Sequence, residues 1–141
     1  MTAKEWLNRG WRIDKTIKGI REEMREAQDA LYGVSAVWFD GERVQGGKRR
    51  LTEDVIVTLA DYQQELNQEL IQLIRTKQEI FKVIRQVRDH RLRPILIRRY
   101  LRFETWEEIA QNVGVDVTTV YRRHKRALNL VVKILKDADF F

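Results

Sequence analysis

The fold of this chain is decided by residues 105–128, TWEEIAQNVGVDVTTVYRRHKRAL. Thr105 and Glu108 have the spacing of a capping box, in which a hydroxyl and a carboxylate each satisfy a free amide at a helix start. A helix should therefore begin at Trp106. Gly114 should end it, because glycine readily adopts the left-handed conformation of a tight helix exit.

A second helix should follow almost at once, because Asp116 is a favourable N-cap for a helix that begins at Val117. The residues expected to face inward are Val120, Ala127 and Leu128. Those expected to face outward are Thr118, Thr119, Tyr121, Arg122, Lys125 and Arg126. Such a cationic, hydrogen-bonding surface suits a recognition helix in the major groove, so the stretch predicts a helix-turn-helix. The alternative is an ordinary helical hairpin with a solvated basic face.

Residues 100–128 resemble region 4 of bacterial sigma-70 factors, which reads the −35 promoter element. Glu107-Glu108-Ile109-Ala110 matches the EEIA of that region, Gly114-Val115 its GV and Arg126-Ala127-Leu128 its RAL. The whole chain, from MTAKEWLNRGWRID through GERVQGG to RYLRFETWEEIA, resembles small ArpU-like transcriptional regulators of phages and prophages.

The sigma-like resemblance implies base-reading positions at Val117, Thr118, Tyr121 and Arg122. Val117 and Thr118 stand where the sigma family has arginine and glutamate. Arg123 falls where helix-turn-helix motifs usually place an aliphatic residue.

A short helix over 94–101 is predicted ahead of the motif, because proline is favoured in a first helical turn. It should turn Ile95, Leu96, Ile97 and Tyr100 inward and Arg98, Arg99 and Arg102 to solvent. These arginines, together with Thr119, Lys125 and Arg126, are candidate phosphate contacts. Plain solvation of the arginines is the alternative.

Two longer helices are predicted before residue 90. The first should run from Trp6 or Trp11 to Leu31, with a seam of Ile13, Ile17, Ile20, Met24, Ala27 and Leu31. The second, over 51–89 with Thr52 as N-cap, has a heptad seam of Leu59, Leu66, Leu73, Ile80 and Val87, interleaved with Leu70 and Ile84. Ile71, Ile74 and Phe81 widen its apolar surface. Either the C-terminal domain or a second copy of the chain should cover the part that the first helix leaves open, so a homodimer is one candidate.

Residues 34–47 contain turn-forming sequences and predict a loop between these helices, closed by Lys48-Arg49-Arg50. Trp6 and Trp11 are interpreted as packing anchors. Phe140-Phe141 is an apolar tail that either packs or binds a partner.

The formal net charge of +6 suits a polyanionic partner. Residues 91–141 hold eleven basic and six acidic side chains, which accounts for +5 of this charge. The chain has no cysteine, so neither disulfides nor thiolate metal sites are expected. No signal peptide or membrane span is predicted, which favours the cytoplasm.

No enzyme chemistry, metal or cofactor is predicted. The two histidines, His90 and His124, are isolated in sequence, and no phosphate-binding glycine loop or nucleophile-base pair is visible. His124 is expected on a helix surface.

These observations predict an all-α protein with a coiled-coil-like helical hairpin over 1–90 and a DNA-binding domain over 91–141. The expected function is sequence-specific binding of double-stranded DNA that regulates phage late or prophage genes. The expected partner, by resemblance, is host RNA polymerase. Two alternatives stay open: a phage terminase small subunit, and a polymerase-binding module without DNA specificity.

Overall fold

The computed structural model describes residues 1–39 and 47–140, and all regular structure in these ranges is helical. The helices are α1 Ala3–Leu7, α2 Arg9–Phe39, α3 Gly47–Ile84, α4 Arg93–Tyr100, α5 Trp106–Val113 and α6 Val117–Asp137. The predicted all-α class is thus confirmed for the described ranges. The predicted turns at Asp40-Gly41 and Gly46, and the end of the tail at Phe141, lie outside the described residues.

The loop predicted over 34–47 is wrong at both ends. Helix α2 continues to Phe39, and α3 already begins at Gly47, ahead of the predicted N-cap Thr52. Residues 34–39 contain neither glycine nor proline. Their weak helix propensities cost only a few tenths of a kcal/mol each, and extending an existing helix needs no new nucleus.

Helix α3 ends at Ile84 instead of the predicted 89. The amides of Gln86 and Val87 donate to the carbonyl oxygens of Val83 and Ile84, both at 3.0 Å, which tightens the last turn. The guanidinium of Arg93 then donates to the carbonyl oxygens of Val87 and Arg85. These bonds satisfy carbonyls that a helix end leaves without partners.

The described chain forms two compact units, Asp14–Gln72 and a second unit made of Met1–Ile13 with Leu73–Phe141. In the first unit, α2 buries Ile17 and Ile20 and α3 buries Leu66. Met24, Ala27 and Leu31 on α2, and Leu59 and Leu70 on α3, are half-buried. The predicted seams are thus the least exposed stripes of both helices here.

The second unit has a core built from four separate parts of the chain. Its buried side chains come from α1, the end of α3, α4 and α6: Trp6, Leu7, Ile80, Ile84, Leu92, Leu96, Tyr100, Ala127, Val131 and Leu135 among them. A smaller cluster joins Ile95 of α4 to Ile109, Ala110 and Val120. Helix α4 therefore buries neighbouring residues in two different clusters.

The division at residue 90 expected from the sequence differs from these units. Trp6 is only 4% exposed and lies in the same cluster as Leu135. The Trp6 ring also meets Phe140, with 5.4 Å between the ring centroids. The predicted anchoring role therefore holds for Trp6, whereas Trp11 is 42% exposed. No described helix has the length and apolar character needed to cross a membrane.

Candidate nucleic-acid interface

A three-residue turn joins α5 to α6. The Thr105 hydroxyl accepts the amide of Glu108 at 3.2 Å, so α5 begins as predicted at Trp106. Gly114 has φ 79° and ψ 32°, the left-handed conformation expected of it. The amides of Gly114 and Val115 both donate to the carbonyl oxygen of Ala110, at 2.9 and 3.2 Å. The chain therefore reverses within one turn.

Replacing Gly114 with alanine should lower the free energy of unfolding by about 1–2 kcal/mol, because a Cβ disfavours positive φ. No atom lies within 4 Å of the position that a Cβ would take, so the cost is conformational rather than steric. Gly19 is the matched control. It lies inside α2 with the same open space, and Gly19→Ala should raise stability by up to about 1 kcal/mol. Urea unfolding measures both. If both substitutions changed the free energy of unfolding in the same direction, the left-handed turn assigned to Gly114 would be contradicted.

The first three turns of α6 present a polar and basic face. The Asp116 carboxylate accepts the amide of Thr119 at 3.0 Å and fixes the helix start. Exposed side chains on the following turns are Thr118, Tyr121, Arg122, Lys125 and Arg126, whereas Val117 and Thr119 are half-buried. We call these seven residues the α6 face. The predicted outward positions are exposed except for the half-buried Thr119.

The cations of the α6 face are available to an external ligand. Arg122, Lys125 and Arg126 form no ion pair with any residue in the described part of the chain. Asp116 is the nearest acidic residue along α6, and its pKa is lowered mainly by the hydrogen bond from Thr119, with a smaller contribution from the charge of Arg122. The carboxylate is therefore ionised, and the strongest cationic surface lies further along the helix.

Four aromatic rings pack α6 against α4 and α5. The Tyr100 hydroxyl and His124 Nε2 are 2.6 Å apart, and the Trp106 ring meets the His124 ring edge-on at 4.6 Å. Trp106 also contacts Tyr121, with 5.3 Å between centroids. The exposed Tyr121 is thereby positioned by a ring that belongs to α5.

The expectation of His124 on the helix surface is wrong, because its side chain is only 8% exposed. Burial, with smaller contributions from the charges of Lys4 and Arg99, lowers the pKa of His124 to about 4. Burial likewise raises the pKa of Tyr100 to about 12. Both groups are therefore neutral near pH 7, as a buried hydrogen-bonded pair should be.

Two of the predicted phosphate contacts already have partners. Arg98 forms an ion pair with Glu104 at 3.1 Å, and Arg99 donates to the Glu104 carbonyl oxygen at 2.9 Å. The Arg99 guanidinium also lies 4.3 Å from the centre of the Trp106 ring. Both arginines are half-buried, which corrects the expectation that they face solvent, while Arg102 is exposed.

A family model described as "Protein of unknown function (DUF1492)" matches residues 33–131. The chain belongs to this family. No curated protein and no solved structure matches the chain. The DUF1492 segment contains α3, α4, α5 and the whole α6 face, whereas α1 and Phe140 lie outside it.

The DUF1492 segment holds two structural residues that were not predicted from the sequence. His124 falls on the inward stripe of α6, with Val120, Ala127, Val131 and Leu135, so helical periodicity was a signal for its burial. Glu104 gave no such signal, because its bonds to Arg98 and to the Asn112 amide, at 2.7 Å, depend on the path of the loop. Within the described ranges, no three potential metal ligands cluster.

Proposed function

We propose that this chain is a sequence-specific DNA-binding regulator of transcription. It acts on phage late or prophage genes together with host RNA polymerase, in the bacterial cytoplasm. It is not an enzyme, and this function requires no cofactor. In this proposal α5 and α6 form a helix-turn-helix of the sigma region 4 type, and α6 is the recognition helix.

The observation that carries the proposal is the α6 face. Its arginines and lysine have no carboxylate partner in the described part of the chain, and they follow directly on the left-handed turn at Gly114. A protein that neutralises DNA phosphates needs such unpaired cations. The resemblance of 100–128 to sigma region 4 supports the same function.

The residues of the α6 face take different roles in this proposal. Thr118, Tyr121 and Arg122 read base edges, with Arg122 bidentate to guanine, and the exposed part of Val117 contacts a thymine methyl group. Lys125, Arg126 and the Thr119 hydroxyl hold phosphates, as does the exposed Arg102. Arg98 and Arg99 hold the loop at Glu104, because each already donates from its Nη1 to that residue.

Selection of bound sequences from a random DNA pool, followed by titration at several salt concentrations, tests the function. An enriched sequence with salt-dependent affinity is the expected result. Failure to bind any DNA at low salt would overturn the proposal and favour a polymerase-binding module. A ring of eight or more subunits that binds packaging DNA would favour a terminase small subunit instead.

Arg122→Ala should weaken binding to the selected sequence by about 1–3 kcal/mol. The change on random DNA should be smaller, because base readout contributes little there. The exposed Arg88, which lies outside α6, is the matched control, and Arg88→Ala should leave both affinities nearly unchanged. If Arg122→Ala reduces the affinity for selected and random DNA equally, Arg122 contacts only phosphate and does not read bases.

We further propose that α2 and α3 pair as a coiled-coil-like hairpin and that α3 supports a homodimer. Leu66 and Leu73 are already buried within one chain, so they do not supply the dimer surface. Exposed apolar residues of α3 in the first unit are Ile56, Val57 and Ile71. Sedimentation at several concentrations tests the dimer, and a monomer at micromolar concentration would exclude it.

A further inference from the structure

The second compact unit has a concave surface between α3 and α4, which we call the α3–α4 groove. It is a shallow, open depression of about 420 Å³, and no residue of the α6 face lines it. Its apolar lining consists of Ile74 and Phe81 from α3 and Ile97 and Leu101 from α4. Lys77, Gln78 and Arg102 complete its walls.

The apolar residues that α3 contributes to the groove are open to solvent, whereas Ile97 and Leu101 of α4 are half-buried. The side chains of Ile74 and Phe81 are 58% and 43% exposed. They lie seven residues, or about two helical turns, apart on the same face of α3. Single exposed apolar residues are common on protein surfaces, but a concave apolar group rimmed by charge is typical of a binding site.

The charges around the groove all have the same sign. No carboxylate lines it among the described residues. The Lys77 ammonium lies 5.0 Å from the centre of the Phe103 ring, and the Arg85 guanidinium lies 6.0 Å from the centre of the Phe81 ring. Lys77 and Arg102 make no ion pair within the described part of the chain. The groove is therefore apolar at its floor and cationic at its rim.

We propose that the α3–α4 groove binds a short amphipathic segment of a partner protein, with apolar side chains about two helical turns apart and acidic residues beside them. The apolar side chains cover Ile74 and Phe81, and the acidic residues face Lys77 and Arg102. Helix-in-groove recognition has this combination of apolar anchors and a charged rim. Charge complementarity selects the partner.

A second copy of this chain fits the groove poorly. A two-fold interface joins the same patch on both copies, so the cationic rim with Lys77 and Arg102 would lie against an identical cationic rim. Like charges placed together across an interface are unfavourable, and each chain already carries a net charge of +6. The proposed occupant is therefore acidic and different from this chain.

The test is a selection of helical peptides from a random displayed library against the whole protein. Enriched peptides should share apolar residues seven apart and flanking Asp or Glu. Their affinity should fall by about tenfold or more in Ile74→Gln and Phe81→Gln. Tyr32→Gln, which changes an exposed aromatic residue of α2 outside the groove, is the control and should bind like the parent.

A separate variant tests the contribution of charge to peptide binding. Replacing Lys77 with glutamate, which leaves the proposed phosphate contact Arg102 unchanged, should weaken binding of the acidic peptides by about tenfold or more and shift a new selection away from acidic peptides. Circular dichroism checks that each variant stays folded. Enriched peptides that bind Phe81→Gln as tightly as the parent, or that carry no acidic preference, would overturn the proposal. A parent self-association that Phe81→Gln abolishes would assign the groove to a second copy instead.

Measuring the DNA affinity of the groove variants tests this proposal independently of the proposed function. The groove variants Ile74→Gln and Phe81→Gln should retain the DNA affinity of the parent, because neither residue lies on the α6 face. A protein that binds the peptides but no DNA would support the groove and overturn the proposed function.

Discussion

Replacing Trp6 with alanine should lower the free energy of unfolding by about 3–5 kcal/mol, the usual cost of removing a large buried aromatic side chain. Trp6 lies near the start of the chain, yet it packs in the cluster that contains Leu96 and Leu135. Its ring also contacts Phe140 and lies 4.5 Å from the Arg9 guanidinium. The loss should therefore destabilise the unit that carries the α6 face, and urea unfolding measures it.

Trp11→Ala is the matched control for this experiment. The same substitution at a side chain that is 42% exposed should cost clearly less. A fragment of residues 91–141 extends the test, because it lacks α1 and the end of α3 and would expose Leu92, Tyr100 and Val131. We expect that fragment to unfold under conditions in which the whole chain is stable. A fragment as stable as the parent would contradict the shared core.

The helices around the turn could be predicted from the sequence because their limits are set by local chemistry. Thr105, Gly114 and Asp116 act on amides and carbonyls within four residues of themselves, so a short window of sequence contains the whole cause. The outward positions of the α6 face follow from a 3.6-residue period in the same way. These features need no knowledge of the rest of the fold.

The packing of the chain start on the C-terminal helices could not be predicted in this way. Trp6 and Trp11 both lie near apolar residues in the sequence, yet Trp6 is buried in a cluster with Leu135 and Trp11 is 42% exposed. The end of α3 depends likewise on Arg93, which reaches back to the carbonyl oxygens of Val87 and Arg85. Non-local contacts of this kind leave no periodic signal in the sequence.

The candidate interface shows the same contrast. Arg122 and Arg98 are both arginines on predicted helices, and composition alone assigns both to a cationic surface. The structure leaves Arg122 without an ion-pair partner in its described part and engages Arg98 with Glu104. The difference arises in the α4–α5 loop, where Phe103 has a left-handed φ of 59° just before Glu104. Which arginines remain available is therefore a property of the loop rather than of the helices.

Lowering the pH from 7 to 4 should destabilise the second unit by roughly 3 kcal/mol through His124 alone, since one pKa unit corresponds to about 1.4 kcal/mol. In the folded chain burial lowers the pKa of His124 from 6.5 to about 4. Between these values the unfolded chain binds a proton that the folded chain does not bind. Stability is therefore lost as the pH falls through about 6.5, and this contribution levels off below about 4.

Most of this decrease in the free energy of unfolding, about 2 kcal/mol, should occur between pH 7 and pH 5, before most carboxylates titrate. His124→Phe keeps an aromatic ring against Trp106 and removes the titration, so its stability should change much less between pH 7 and pH 5. The exposed His90 is the matched control, and His90→Gln should keep the pH dependence of the parent. Urea unfolding at each pH gives the comparison. A parent slope that His124→Phe leaves unchanged would mean that the proton is taken up elsewhere, and that the Tyr100–His124 hydrogen bond does not set the acid sensitivity of this unit.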